Sequence, residues 1–366
     1  MAELLMSLNP LFNRIGIHSR WSVMSSKSKD FFKITKDFFN ALQGQEVHIN
    51  KKMKNTYIRT NKLNAHRLPD IGEEDLVIVH DHQPAAMINY YNKKQPWIWR
   101  AHADMHTPYG PAWNFLKKYI NRYDKMIVSM DKYKKSGVKP EQHVFHPAID
   151  PTNEKNIGLS DKQVTRMLSR YGIDRDKPII SQISRFDRFK DPVGVIKSYK
   201  MVKEKTDCQL ILLGEPAADD PEGPDVHREV LEYSSKDPDI HVIMKRSEFL
   251  VNALQRASSV VLQKSLKEGF ALTVAEALWK GTPVVGGDHG GIPLQITNGR
   301  NGYLVNSIHE TAKRVTHLLE NPKLAKRMGK RGREHIRKNF LTTRLALDYL
   351  HLFKQLKREG KLNYLS

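Results

Sequence analysis

The sequence is poor in the features that mark secreted and membrane-spanning proteins. Its 366 residues include one cysteine, Cys208, so no disulfide can form within the chain. No apolar run approaches the roughly 18 residues that a membrane-spanning helix requires. The N-terminal residues also lack the apolar segment of a signal peptide. We therefore expect a cytoplasmic protein, in a reducing compartment, without a membrane span.

Acidic residues are scarce relative to basic ones. The chain has 40 Asp and Glu against 60 Lys and Arg, which gives a formal net charge of +20. A basic excess of this size raises the hypothesis of nucleic-acid binding. However, the lysines are spread over many predicted helices, and the densest run, residues 326–333, lies on an amphipathic one. A solvated helix face explains that run better, so we expect no nucleic-acid partner, and the positive field can steer a negatively charged substrate.

The apolar residues alternate between strand and helix patterns, which predicts an α/β protein of two domains. We place the domains at residues 1–150 and 151–340, with a turn-rich linker at 146–156. A last helical segment, 341–366, completes the chain. A Rossmann-type domain begins with a strand and a glycine-rich turn, but here an amphipathic helix over residues 2–16 comes first. We therefore expect the N-terminal domain to lack its first strand.

Further elements are predicted in each half. In the first half we predict a helix over 29–43 and strands over 19–24, 76–80, 97–100 and 126–129. In the second half we predict strands over 178–183, 210–213, 241–244, 260–263, 282–285 and 301–305.

Two acids flank a predicted helix start in the second half. Thr273 followed by Glu276 is a capping box, which predicts a helix that begins near Thr273. The N–H groups of residues 269–273 then surround a helix N-terminus, where an anion is favoured. Glu268 lies just outside that helix. N–H groups that bind phosphate, next to carboxylates that accept hydrogen bonds from hydroxyls, suit a nucleotide sugar. Taken alone, the two acids are explained equally well if Glu276 only caps the helix and Glu268 is a solvated loop residue.

Polar residues also follow other predicted strands. Arg185 and Lys190 follow strand 178–183, where Arg can bind phosphate through two nitrogens and Lys acts as a point charge. Ordinary solvation of a loop is the alternative. In the first half, the segments that follow two strands are His80-Asp81-His82-Gln83-Pro84 and Ala101-His102-Ala103-Asp104. In open α/β sheets, ligands bind at such strand ends.

The His-x-His pattern at residues 80–82 and the His-x-Asp-x-His pattern at 102–106 invite a metal hypothesis. Alternate residues point the same way only while a strand continues, and Pro84 indicates that the first strand has ended. No further His-rich segment completes a ligand set. We expect no metal site.

Together these motifs resemble a known enzyme family. Two glutamates separated by seven residues, with Gly-Phe after the first, are similar to the signature of retaining glycosyltransferases with two Rossmann-like domains facing a cleft, the GT-B fold. Arg185 and Lys190 match that family's diphosphate clamp. The resemblance implies that Glu268 touches the donor sugar and Glu276 holds the ribose hydroxyls. One departure is Ala271, where glycine is usual, and a left-handed backbone there would disfavour alanine.

The strand-end segments and the acidic loop at 219–223 narrow the resemblance to trehalose glycosyltransferring synthases, with His82 as a departure. The resemblance implies transfer of glucose, with retention, from a nucleoside diphosphate glucose to glucose, forming trehalose. A glycosyltransferase with another acceptor, a glycoside hydrolase using the two glutamates, and a sugar- or nucleotide-binding protein without turnover are the alternatives. In this family a Gly-Gly-Val-Ala-Glu-like turn precedes the first helix. Residues 1–3 match only its end, so we expect the native chain to start upstream. The missing turn and Ala271 favour the sugar- or nucleotide-binding protein without turnover.

The resemblance implies a specific set of site residues. The catalytic residues would be Glu268, Arg185, Lys190 and His102. The substrate-binding residues would be Asp81, Gln83, Arg100, Asp104, Gly269, Phe270, Ala271, Leu272, Thr273 and Glu276. We expect no cofactor besides the nucleoside diphosphate glucose donor, and no metal for the chemistry. The partners would be that donor and a small sugar acceptor; the nucleotide base, the direction of net flux and the oligomeric state stay open, with a homodimer as one option.

Overall fold

The chain folds into two compact units, each built on a parallel β-sheet. The computed structural model describes residues 2–214 and 223–362. The first unit contains the residues up to Pro147 together with those from Thr343 onward, and the second unit runs from Ala148 to Thr342. The two sheets have four and six strands, all parallel among the described residues. This α/β architecture is the one that the strand and helix patterns predict.

The first unit places its helices before, between and after four short strands. Its elements are α1 (Ala2–Arg14), α2 (Lys29–Leu42), α3 (Lys51–Arg67), β1 (Val77–His80), β2 (Trp97–Arg100), α4 (Gly110–Ile120), β3 (Lys125–Val128), β4 (Glu141–Val144) and α13 (Thr342–Arg358). The strand order is β1-β2-β3-β4, so neighbours in the sheet are also neighbours in sequence.

Aromatic side chains fill much of the core of this unit. On one side, Phe38 stacks on Phe115 with ring centroids 5.5 Å apart, and the edge of Tyr57 meets both rings. The last helix joins the same unit, since Phe353 of α13 lies 6.0 Å from Phe12 of α1. Tyr349, one turn earlier in α13, makes an edge contact with Phe145 just after β4. The chain therefore returns at its end to pack on the elements with which it began.

The strand predicted over residues 19–24 is wrong, because this segment has no regular secondary structure. Val23 is 69% exposed, so the alternating pattern does not reflect a buried sheet face. Directly after the segment, the side-chain amide of Asn64 in α3 accepts from the Ser25 N–H and donates to the Ser25 carbonyl, at 2.8 and 2.9 Å. A side chain thus satisfies backbone groups that a neighbouring strand would otherwise bind.

The second unit alternates strands and helices almost throughout. Its elements are α5 (Asp161–Ser169), β5 (Ile179–Ile183), α6 (Pro192–Lys203), β6 (Gln209–Gly214), α7 (Gly223–Ser234), β7 (Ile240–Met244), α8 (Glu248–Ala257), β8 (Val260–Gln263), α9 (Leu272–Trp279), β9 (Val284–Gly287), α10 (Ile292–Gln295), β10 (Gly302–Val305), α11 (Ile308–Glu320) and α12 (Pro322–Asn339). Strands β5, β6 and β8 are buried along their whole lengths, as expected for a parallel sheet covered on both faces.

The strand order of the second sheet reverses at its centre. The order is β10-β9-β8-β5-β6-β7, so the chain builds one half outward from β5 and the other half outward from β8. In doubly wound sheets, ligands bind beyond the carboxyl ends of the strands at this reversal. The loops that follow β5 and β8 therefore hold the expected binding position. Among the described residues, no helix combines the length and the apolar character needed to cross a bilayer.

Candidate active site

The loops after β5 and β8 are joined by an ion pair between two predicted catalytic residues. The Lys190 ammonium, at the end of a short 3-10 helix, donates to the Glu268 carboxylate. The two side chains are only 17% and 11% exposed. Ser265 Oγ donates to the same carboxylate oxygen at 3.2 Å, so the acid is held from two directions. A cation and an acid therefore meet at the point where the sheet order reverses.

Arg185 leaves β5 on the same loop as Lys190 but is the more exposed of the two cations. Its side chain is 41% exposed, and one terminal nitrogen lies 3.4 Å from the Asp187 carboxylate. Asp187 in turn accepts a hydrogen bond from the Phe189 N–H at 2.8 Å, which shapes the loop before Lys190. The guanidinium thus lies on the binding edge of the sheet, with its anchoring acid two residues away.

The capping box predicted from Thr273 and Glu276 is wrong. Helix α9 begins at Leu272, and its N-cap is Ala271, which makes no side-chain capping bond. Ala271 adopts a left-handed backbone with φ 66° and ψ 74°, so the alanine stands where glycine would be favoured. Thr273 therefore lies inside the first turn. The first-turn N–H groups of a helix have no acceptor within the helix, so this end suits an anion.

Three further contacts hold the loop before α9. Phe270 is 6% exposed and packs 5.4 Å from Phe340, and the fully buried Gln295 donates to the Phe270 carbonyl. Gly290 and Gly291 pass against the backbone of the loop, and a Cβ at Gly290 would lie 1.6 Å from the Glu268 carbonyl oxygen. These two glycines therefore allow a close backbone approach that a side chain would prevent. The tight packing determines where Glu268 and Gly269 lie.

Glu276 lies in the second turn of α9 and is almost fully buried. Its side chain is 4% exposed, and one carboxylate oxygen is 3.7 Å from the Lys155 ammonium. Lys280, one turn later, donates to the Asn156 side chain at 2.8 Å. The segment that opens the second unit is therefore tied to the helix that carries both an anion-binding end and this acid.

The predicted site residues of the first unit gather at the ends of β1 and β2. His80 Nδ1 and His102 Nε2 are 2.9 Å apart, and the rings stack with centroids 5.2 Å apart. Asp81 accepts from the His102 N–H at 2.9 Å and has φ 65°. Adjacent parallel strands thus bring together residues that lie 22 positions apart in the sequence.

Burial controls the charge of this cluster. It lowers the pKa of His80 to about 3, with the neighbouring Arg100 acting in the same direction. Burial, Arg100 and His80 hold the pKa of His102 well below its ordinary value. Burial raises the pKa of Asp81 to about 6, against the opposing effect of the hydrogen bond from His102. Near neutral pH both imidazoles are therefore uncharged and share one N–H between them.

The remaining predicted residues of the first unit differ in accessibility. Arg100 is fully buried, and its guanidinium donates to the Phe145 carbonyl at 2.8 Å. The Gln83 carbonyl accepts from the Asn61 side chain at 3.0 Å. Asp104 accepts from the His106 N–H at 2.9 Å. Arg100 therefore supports the strand ends from beneath, whereas the other two lie in the loops.

The metal hypothesis finds no ligand set in the part of the chain that the structure describes, where no three His, Cys, Asp or Glu side chains cluster suitably. His82 is 1% exposed, and its Nε2 lies 2.8 Å from the Thr35 carbonyl oxygen, so it is a core histidine. The acidic loop at 219–223 lies, except for Gly223, outside the described residues.

Comparison with known proteins identifies the family. Residues 1–135 match the family described as trehalose synthase, N-terminal domain, and residues 164–335 match glycosyl transferases group 1. The trehalose synthases of Pyrococcus horikoshii and Rubrobacter xylanophilus are each 42% identical to this sequence, over 97% of this chain and 87% of the relative. This chain belongs to the trehalose synthase family. As a member, it is a glycosyltransferase, and the glycoside hydrolase alternative is set aside.

Solved structures with low sequence identity share the fold of this trehalose synthase family member. An α,α-trehalose 6-phosphate synthase from Burkholderia multivorans superposes with a TM-score of 0.74 at 15% identity, covering 91% of this chain and 84% of that one. A sucrose-phosphate synthase from Thermosynechococcus elongatus gives 0.68 at 18% identity, covering 86% and 82%. The predicted GT-B fold is confirmed.

Sequence reasoning missed several residues that support the site of this family member. Lys264 donates to Asp191 beside the Lys190–Glu268 pair, Gln295 holds the Phe270 carbonyl, and Lys155 pairs with Glu276. Lys264 had a detectable signal, because a lysine directly after a strand with three successive apolar residues, 260–262, needs a buried partner. Gln295 and Lys155 had none, since their partners lie at least 25 positions away in the sequence.

Proposed function

We propose that this protein transfers glucose from a nucleoside diphosphate glucose to free glucose, with retention at the anomeric carbon, and so forms trehalose. Membership of the trehalose synthase family supports the substrates and the product. The observation that carries the proposal is the Lys190–Glu268 pair, held beside the N-terminus of α9 at the reversal of the second sheet. A cation, helix N–H groups and an acid meet there, as a diphosphate joined to a sugar requires.

The donor would be held by charge at its diphosphate and by acids at its sugars. Arg185 and Lys190 carry positive charge on the loop after β5, which Lys190 joins to Glu268 in the loop before α9. Such groups act most strongly on charge that grows during the reaction. Glu268 would accept hydrogen bonds from the transferred glucose, while Glu276 would hold the ribose hydroxyls. The N–H groups of residues 269–273 would meet the phosphate oxygens.

The reaction needs no carboxylate nucleophile. The bond from the anomeric carbon to the diphosphate oxygen breaks, and its electron pair leaves with the diphosphate. The hydroxyl oxygen of the acceptor bonds to the same face of the anomeric carbon, and its proton passes to the departing phosphate. Arg185 and Lys190 would stabilise that departing group. Exclusion of water would limit hydrolysis of the donor.

The first unit would supply the remaining sugar contacts. His102, uncharged near neutral pH, would contact sugar hydroxyls close to the reacting carbon, together with Asp81, Gln83 and Asp104. The buried Arg100 would support these strand ends. We infer that the protein acts in the cytoplasm on these small molecules, with no cofactor beyond the nucleotide sugar.

The decisive experiment is nuclear magnetic resonance detection of the disaccharide. The protein is incubated with ¹³C-labelled glucose and, in separate samples, ADP-, GDP- or UDP-glucose, with Lys190→Met as the inactive control. The expected product is an α,α-1,1-linked disaccharide, formed together with the nucleoside diphosphate. In parallel samples, a panel of other labelled sugars replaces glucose. A disaccharide formed from one of them instead of glucose would identify a related glycosyltransferase with another acceptor. Nucleotide binding without any product would instead support a binding protein.

A further inference from the structure

A second ion pair lies beside the Lys190–Glu268 pair and joins the same two loops. Lys264, directly after β8, donates to the carboxylate of Asp191, the residue that follows Lys190. The two pairs have opposite polarity. In the first, the β5 loop supplies the cation, Lys190; in the second, it supplies the acid, Asp191. The loops are therefore joined at two successive positions of the β5 loop.

Asp191 is held in an unusual conformation. Its backbone is left-handed, with φ 50° and ψ 51°, and one carboxylate oxygen accepts from the Gly194 N–H at 3.1 Å as the N-cap of α6. A Cβ at Gly194 would lie 2.1 Å from the other carboxylate oxygen, so only glycine leaves room for this carboxylate. The turn that ends with Lys190 and Asp191 therefore depends on where that carboxylate is fixed.

Lys264 supplies the buried partner for that carboxylate. Its side chain is 9% exposed and that of Asp191 is 21% exposed. A buried charge is costly unless it is paired, so each of the two groups requires the other. If Lys264 lost its charge, the Asp191 carboxylate would lose its partner and would compete with Glu268 for the ammonium of the adjacent Lys190. That ammonium would then turn away from Glu268.

We propose that Lys264 and Asp191 are positioning residues, which keep the Lys190 ammonium at Glu268, ready to meet the donor diphosphate. This inference rests on the proposed function, because it takes Lys190 to bind that diphosphate. Backbone contacts support the same turn: the Lys190 carbonyl accepts from Gln182 at 2.7 Å, and the Phe189 carbonyl accepts from the Leu266 N–H at 2.8 Å. The Lys264–Asp191 pair adds an electrostatic contribution, because a paired Asp191 does not attract the Lys190 ammonium away from Glu268.

The test measures nucleoside diphosphate binding by calorimetry, with ADP, GDP and UDP as separate probes. For the tightest probe, Lys264→Met is expected to raise the dissociation constant about tenfold, a coupling usual within one charged network. Lys264→Arg should restore most of the affinity. Asp191→Asn should also weaken binding: asparagine keeps the cap and tolerates the left-handed backbone, but the Lys264 ammonium loses its partner and then competes with Lys190 for Glu268.

Two controls separate positioning from general stability. Lys177→Met removes two ion pairs elsewhere in the second unit, to Asp207 and Asp239, and should leave binding unchanged. In the double variant Lys190→Met/Lys264→Met, binding should be no weaker than in Lys190→Met alone. Losses that add in the double variant, wild-type binding by Lys264→Met, or unchanged binding by Lys190→Met would each overturn the inference. Weakened binding by Lys264→Met in a protein that makes no disaccharide would uphold it and refute the proposed function.

Discussion

The N-cap of α9 is Ala271, which has one methyl group more than the glycine usual at this position in the resembled glycosyltransferases. Ala271 has φ 66°, a conformation that costs a residue with a Cβ about 1–2 kcal/mol. We expect Ala271→Gly to raise the free energy of unfolding by about 0.5–1 kcal/mol, because the extra chain entropy of glycine offsets part of the relief. Chemical denaturation measures this change.

The matched control for Ala271→Gly lies within the same helix. Ala275 is fully buried in α9, so Ala275→Gly should lower the free energy of unfolding by about 1 kcal/mol. Equal destabilisation by the two glycine variants would contradict the strain assigned to Ala271.

Two single charged residues, Glu268 and Arg185, are proposed to bind the donor sugar and its diphosphate. Glu268→Ala and Arg185→Ala should each reduce kcat by about 100- to 1,000-fold, since each removes a group placed to act on the transition state. Steady-state rates with labelled donor, together with circular dichroism spectra, measure activity and fold. The exposed Arg300 offers a control, and Arg300→Ala should keep the parent rate. Parent-like turnover in either variant would remove that residue from the mechanism.

His82 makes the first unit sensitive to acid. Burial lowers its pKa to about 4, so between pH 6.5 and about 4 the unfolded chain binds a proton that the folded chain excludes. Stability should therefore fall as the pH falls through this range, by at most about 3 kcal/mol from this residue. In His82→Gln, which can still donate to the Thr35 carbonyl, unfolding curves from pH 7.5 to 4 should show a smaller loss. A parent-like acid loss in His82→Gln would refute this, and the exposed His48→Gln is the control.

At the scale of elements, the loop after β9 positions the loop after β8. Gly290 has φ 59° and passes against the Glu268 carbonyl, whereas Gly299 has φ 75° with nothing within 4 Å of an added Cβ. Both alanine variants carry the left-handed penalty of about 1 kcal/mol. Only Gly290→Ala should also displace Glu268, with an added cost of about 1–3 kcal/mol and a large loss of turnover.

Thermal unfolding and donor turnover measured side by side test the comparison. We expect Gly299→Ala to keep its activity despite a lower melting temperature. Equal activity in the two variants would show that the β9 loop does not position Glu268.

At the scale of the whole molecule, the chain closes its first unit with its last helix. Phe353 of α13 is 4% exposed and packs on Phe12, so Phe353→Ala should destabilise the first unit by about 3–5 kcal/mol. Leu347 lies on the same helix at 54% exposure, and Leu347→Ala should change stability by less than about 0.5 kcal/mol.

Hydrogen exchange can locate the effect of these variants. In Phe353→Ala, the amides of β1–β4 should exchange faster while those of β5–β10 keep their protection. Equal loss of protection in both sheets would show that the helix does not stabilise the first unit selectively.

Local patterns predicted the strands of the second unit, the family and the two glutamates at their seven-residue separation, but not α3 and β4 of the first unit. Buried strands such as β5 and β8 need nearly continuous apolar residues, and this requirement can be seen within a few positions. The same local reasoning erred where a competing partner came from far away. Asn64 of α3 binds the backbone of Ser25, directly after the segment 19–24, and the N-cap of α9 is the left-handed Ala271 instead of Thr273.

Only the tertiary structure decided which charges meet. Parallel strands bring their carboxyl ends to one edge whatever their separation in sequence, so Lys190 reaches Glu268 across 78 positions and His80 reaches His102 across 22. The pairing of Lys264 with Asp191 and the lowered histidine pKa values depend on burial, which no local pattern contains. The sequence by itself therefore determined which side chains are available for glycosyl transfer. The packing within each of the two units decided their partners and their charge, because it fixes which strand ends are neighbours and which groups are buried.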